Sequence, residues 1–164
     1  MALALTAFHV AILFIAAAIF VAAAINDACS YRIPNYMCGL LLLLFPFFVA
    51  TAPHGVDWQQ NAMIFALVAL SGFGMFLGKL AGAGDIKLLA VASLWAGPHL
   101  IAVLLVVTAI AGGVLSIVMA ALTHFRQRED KVQMSKVQIP YGIAIATGGL
   151  TTLGMMAQPI LLPS

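Results

Sequence analysis

The hydrophobic residues of this chain come in long runs separated by short polar joints. A helix needs about 20 such residues, with about 17 to 25 tolerated, to cross the hydrocarbon core of a bilayer. The first run covers residues 3–25 without a charge, the second residues 37–52 and the third residues 62–80. A fourth starts at Ile86 and reaches Gly97-Pro98-His99, a turn or kink signal. Its residues rise only about 18 Å as a helix, so this segment is short or starts below the membrane surface. A fifth covers residues 100–122. The polar stretch 123–138 separates it from a sixth, which has Pro140 near its first turn and fades towards Gln158 and Pro159. The pattern predicts an all-α, polytopic integral membrane protein with about six transmembrane helices.

Composition supports that reading. Of 164 residues, 64% are hydrophobic and 7% charged, against about 25% charged in soluble domains. With a mean hydropathy of +1.13, one compact core cannot hide the apolar surface, so the solvent is lipid. Ala22-Ala23-Ala24 resembles a signal-peptide cleavage site, but no Lys or Arg precedes it and the run is longer than such signals use. A retained helix is expected. No tandem repeat appears, and the longest polar stretch is too short for a soluble domain, so residues 1–164 read as a single transmembrane domain.

The charges set the orientation. All seven basic residues fall on one side: Arg32 after the first run, Lys79 and Lys87 around the join of the third and fourth, and Arg126, Arg128, Lys131 and Lys136 between the fifth and sixth. Basic loops stay in the cytoplasm, so both termini are expected outside it. The last loop also suits anionic lipid, at about 1 kcal/mol per basic residue. A net charge of +2 without a basic cluster interleaved with aromatics offers nothing to nucleic acid.

Few polar groups remain as candidates for chemistry. Cys29 and Cys38 form neither a CxxC pair nor a zinc ribbon and read as reduced thiols. His9, His54, His99 and His124 lack ligand spacing, so no metal is expected. Ser30 and Ser71 lack a His/Asp pairing, and Gly82-Ala83-Gly84-Asp85 lacks the ending of a phosphate loop. Among five acids, Glu129 and Asp130 are counter-charges in the basic loop and Asp57 lies in the outer loop. The other two, Asp27 and Asp85, stand at one membrane face. Asp85 alone reads as a helix N-cap, and Asp27 as an acid reaching for water beside an unfavourable helix end. Together they suggest facing carboxylates that share one proton, one acting as base and the other as acid in peptide hydrolysis. That chemistry needs no cofactor. Gly74, Gly78 and Gly82 recur every four residues, a pattern for close helix approach, and Gly82 and Gly84 keep the backbone before Asp85 bare. Arg32-Ile33-Pro34-Asn35 reads as the turn between two spans. The same two acids also suit a small proton- or cation-coupled transporter, and a noncatalytic scaffold is a third class.

Asp27-Ala-Cys-Ser-Tyr-Arg-Ile-Pro-Asn35 resembles the first aspartate motif of the type IV prepilin peptidases, and Gly82-Ala-Gly-Asp-Ile-Lys-Leu-Leu89 their GxGD motif. Ile139-Pro-Tyr-Gly-Ile-Ala-Ile145 is similar to their late Pro-Tyr/Phe-Gly motif. The resemblance implies an aspartyl endopeptidase of the bacterial inner membrane with Asp27 and Asp85 as its catalytic pair. Gly78, Gly82, Gly84, Lys87, Pro34 and Asn35 would support the site or bind substrate. It implies removal of leader peptides from prepilins and pseudopilins at the cytoplasmic face, beside the pilus assembly machinery. Larger members carry a CxxC segment and also methylate the product; no such segment is expected here. The compact form resembles the peptidases of tight-adherence (Flp-type) pili.

Overall fold

The computed structural model describes residues 2–52, 55–129 and 139–161. Among the described residues every regular element is an α-helix. Lipid offers backbone groups no hydrogen-bond partner, and a helix satisfies them within its own segment. The elements are α1 (Ala2–Ser30), α2 (Asn35–Thr51), α3 (Trp58–Leu77), α4 (Ala83–Glu129) and α5 (Tyr141–Leu161). Leu5–Ser30, Trp58–Leu77 and Ala83–His124 are each long and apolar enough to cross a membrane, and α2 is a shorter apolar helix. The chain is a helical membrane protein.

The expected fourth and fifth segments form one element, α4, broken once. Gly97 has φ 58° and ψ −171°, a combination essentially confined to glycine. Pro98 has no N–H, so the Leu94 carbonyl loses the donor that a regular helix would supply. Asn61 of α3 replaces it: its buried Nδ2 donates to the Leu94 carbonyl at 2.9 Å. A Cβ on Gly97 would stand 2.5 Å from the Asn61 Oδ1, so kink and repair occupy the same space. The helix also continues past Thr123 to Glu129, where hydropathy predicted a loop. Polar residues end a membrane run without ending a helix. Lys131, Lys136 and Asp130 lie outside the described residues, as does His54.

The joints on the other side are short. Tyr31, with φ 50°, closes α1 by donating its N–H to the Asp27 carbonyl, and Pro34 then opens α2 from an extended backbone. At the end of α3 the Leu80 N–H reaches the Met75 carbonyl and the Lys79 N–H that of Phe76, both at 2.9 Å. This is a Schellman closure. Its left-handed residue is Lys79, with φ 57°, and not the neighbouring Gly78.

The first part of α4, residues 83–96, stands at the centre. Its Leu88, Val91, Ala92, Leu94 and Trp95 pack in one core with Phe20 and Ala23 of α1, Leu41 and Phe45 of α2, and Ile145 of α5. The regular glycine stripe does not provide close approach. Gly74 faces open space, Gly78 caps α3, and Gly82 belongs to neither helix, because α3 ends at Leu77 before the period of four is complete. Gly72 does that work instead, with its absent Cβ only 2.5 Å from the Ile86 side chain.

Candidate active site

Asp27 sits in the last turn of α1, its carbonyl accepting the Tyr31 N–H that closes the helix, and is only 4% exposed. The expectation that it reaches water is therefore overturned. Its Oδ2 instead accepts the backbone N–H of Gly142 at 2.6 Å, across 115 positions of sequence. A short hydrogen bond to a carboxylate is among the stronger ones in a protein. Gly142 is in the first turn of α5, where N–H groups lack acceptors within their own helix and the dipole favours an anion. The start of α5 thus offsets the unfavourable end of α1. A Cβ on Gly142 would stand 2.7 Å from Oδ2 and 2.9 Å from Cγ of Asp27, so only glycine fits.

Asp85 is placed differently. It lies inside the first turn of α4 and is not the cap; that position falls to Gly82, whose carbonyl accepts the Ile86 N–H at 3.2 Å. Among the described residues no hydrogen bond reaches the Asp85 carboxylate. It is half-buried, and the charge of Asp27 bears on it. A Cβ on Gly82 would meet its Oδ2 at 3.0 Å, and one on Gly84 would meet the Ile33 side chain at 3.4 Å.

Both aspartates line one cleft of about 1640 Å³, together with Asn35, Gly82, Gly84 and Lys87. Lys87 Nζ donates to Asn35 Oδ1 at 3.0 Å, which ties the beginning of α2 to the beginning of α4 in the cleft lining. Pro34 does not line the cleft; it sets the backbone that leads into Asn35. Gly78 does not line it either. Tyr141, Leu105 and Thr108 form a further wall from α5 and the second part of α4. Neither Gly142 nor this wall is among the site residues expected from sequence. The signal for Tyr141 and Gly142 is Pro140-Tyr141-Gly142, read there as a motif without a contact; no sequence signal marked Leu105 or Thr108.

Such an arrangement has the elements of acid–base hydrolysis: two carboxylates in one cleft, one held by a peptide N–H and the other unheld, with room for a peptide and a water. A helical membrane protein built this way has the make-up of an aspartic endopeptidase. The model of the type IV leader peptidase family matches residues 12–117. That is well over half of the chain, so the protein belongs to this family and is an aspartic-type leader peptidase. Membership implies prepilin substrates. The matched stretch contains Asp27, Asn35 and Gly82 to Lys87 and ends before α5. No curated protein and no solved structure matches the chain.

Proposed function

We propose that the protein removes the leader peptides of Flp-like prepilins and pseudopilins at the cytoplasmic face of the inner membrane, with Asp27 and Asp85 as its catalytic pair. The observation that carries this is the meeting of two acids, far apart in sequence, in one cleft beside the Gly142 amide. In the mechanism the pair carries one proton. The ionised carboxylate takes a proton from water as the oxygen attacks the scissile carbonyl, and the protonated one donates to the carbonyl oxygen. Collapse of the tetrahedral intermediate returns a proton to the leaving amine and restores the pair. Because Asp27 Oδ2 accepts an N–H, that oxygen does not hold the proton. Gly82 and Gly84 keep the backbone before Asp85 bare for the passing chain, and Lys87 with Asn35 steadies the cleft lining.

The break at Gly97 supports two crossings by α4, and with α1, α2, α3 and α5 this gives six, both termini outside the cytoplasm. The joint of residues 31–34 between α1 and α2 is too short for a CxxC segment, which favours cleavage without methylation. Co-expression with an Flp-type prepilin tests the reading. The product should lack its leader by mass, and the Asp27→Asn protein should leave the precursor intact. In the same cells exposed Cys29 should resist an impermeant thiol reagent and react in inverted vesicles. A precursor unchanged by the native protein would refute the substrate, and labelling in intact cells would refute the orientation.

A further inference from the structure

We infer that α5 is the positioning element of the site: the Gly142 N–H fixes the Asp27 carboxylate, and close packing of α5 between α1 and α4 fixes where that N–H stands. The inference rests on the reading of Asp27 as catalytic and adds to it a residue that touches no substrate.

Three observations carry it. First, Asp27 is almost fully enclosed, yet among the described residues no Lys or Arg pairs with it; its carboxylate is held by the Gly142 N–H. A buried carboxylate needs such partners to keep a defined orientation. Second, Gly142 is hemmed in by Asp27 itself, so the contact tolerates no side chain and little displacement. Third, the contact is repeated further down the same pair of helices. Two turns from Asp27 on α1 is Phe20, fully buried, and two turns from Gly142 on α5 is Gly149, whose absent Cβ lies 2.8 Å from the Phe20 ring. The equal spacing on both antiparallel helices fixes their register. On the other flank Gly148 lies against the Leu104 carbonyl and Thr108 of α4, its absent Cβ 2.8 Å from that carbonyl oxygen. A shift of α5 by one residue would bring a Cβ into Phe20 or Leu104 and carry the N–H away from Asp27. Gly142 is therefore a positioning residue.

A backbone substitution separates this role from mere folding. Glycolate incorporated in place of Gly142 by cell-free synthesis into nanodiscs exchanges the N–H for an oxygen without adding bulk. Because this N–H has no acceptor in α5, the exchange deletes the bond to Asp27 and no helix bond. The expected result is a loss of about ten- to a hundredfold in kcat for leader cleavage by the folded protein, with KM unchanged and a lowered thermal unfolding midpoint, because the buried carboxylate loses its donor. The same exchange at Gly154, which faces open space within α5, deletes an ordinary helix bond and should leave kcat as it was. Gly149→Ala should lower kcat through Phe20, and Phe20→Leu added to it should restore much of the loss. A kcat within twofold of the native value for the glycolate protein, or equal losses at 142 and 154, would overturn the inference. Asp27→Asn in the same assay keeps the two levels apart. If it is inactive while the glycolate protein is fully active, positioning by α5 is wrong and the catalytic pair stands; if it cleaves normally, the catalytic reading falls first.

Discussion

At one end of the helix bundle His9, Phe48, Trp95 and Phe45 stack in sequence, with ring centroids 4.9, 5.0 and 5.9 Å apart along the row. The polar atoms there are paired: His9 with Thr51 at 3.0 Å, Trp95 Nε1 with the Leu41 carbonyl at 3.2 Å, and Asn61 with Leu94. At the other end Asp27 and Asp85 face a cleft of about 1640 Å³, and Asp85 has no hydrogen bond among the described residues. One element joins the two ends, since Asp85 lies in the first turn of α4 and Trp95 in the last turn before its break. The packed end holds α4 in place, and in the proposed mechanism the open end leaves its first turn free to meet substrate. On that proposal stability and chemistry are separated along a single helix.

Substitutions at the packed end should cost stability and spare the pair. The largest effect is expected from Trp95→Ala, which removes a fully buried side chain from the centre of the row. A loss of about 3 kcal/mol should appear in unfolding by denaturing detergent, while the fraction that remains folded cleaves leader at the native kcat. Asn61→Leu comes next. It leaves the Leu94 carbonyl without a donor at the Gly97 break and should cost about 2 kcal/mol in the same measurement. At the open end the smallest effect belongs to Lys87→Met. Its bond to Asn35 is exposed, so loss of the tie should leave stability unchanged and reduce kcat/KM about three- to fivefold. A large stability loss from Lys87→Met, or an intact unfolding profile for Trp95→Ala, would erase the contrast between the ends.

How far the sequence told these ends apart depends on the range of each signal. The apolar runs, the kink at Gly97-Pro98 and the acids at Asp27 and Asp85 are local features, and local reading found them. The pairing of Asp27 with Gly142 was invisible because it joins residues 115 apart, and it involves a backbone N–H that no residue type advertises. Gly74, Gly78 and Gly82 misled because spacing counts as a face only while one helix lasts, and α3 stops at Leu77. The glycines that matter for approach, Gly72, Gly142, Gly148 and Gly149, show no such period. Each answers to one or two bulky or polar neighbours on another helix. Asn61 was likewise unreadable as a partner, since the carbonyl it satisfies is orphaned by a proline on a different element.

The central claim is that Asp27 and Asp85 act as one catalytic unit, and Asp85→Asn tests it most directly. An amide keeps the shape of the carboxyl and leaves the site with the single negative charge that the singly protonated pair carries, so folding should be preserved. It cannot exchange the proton that hydrolysis needs. Purified native and Asp85→Asn proteins would be placed in proteoliposomes with an Flp-type prepilin, and leader release followed alongside the unfolding midpoint. The account predicts an unchanged midpoint, no detectable leader release by Asp85→Asn, and no further loss when Asp27→Asn is added. Leader release at the native rate by a folded Asp85→Asn protein would contradict it.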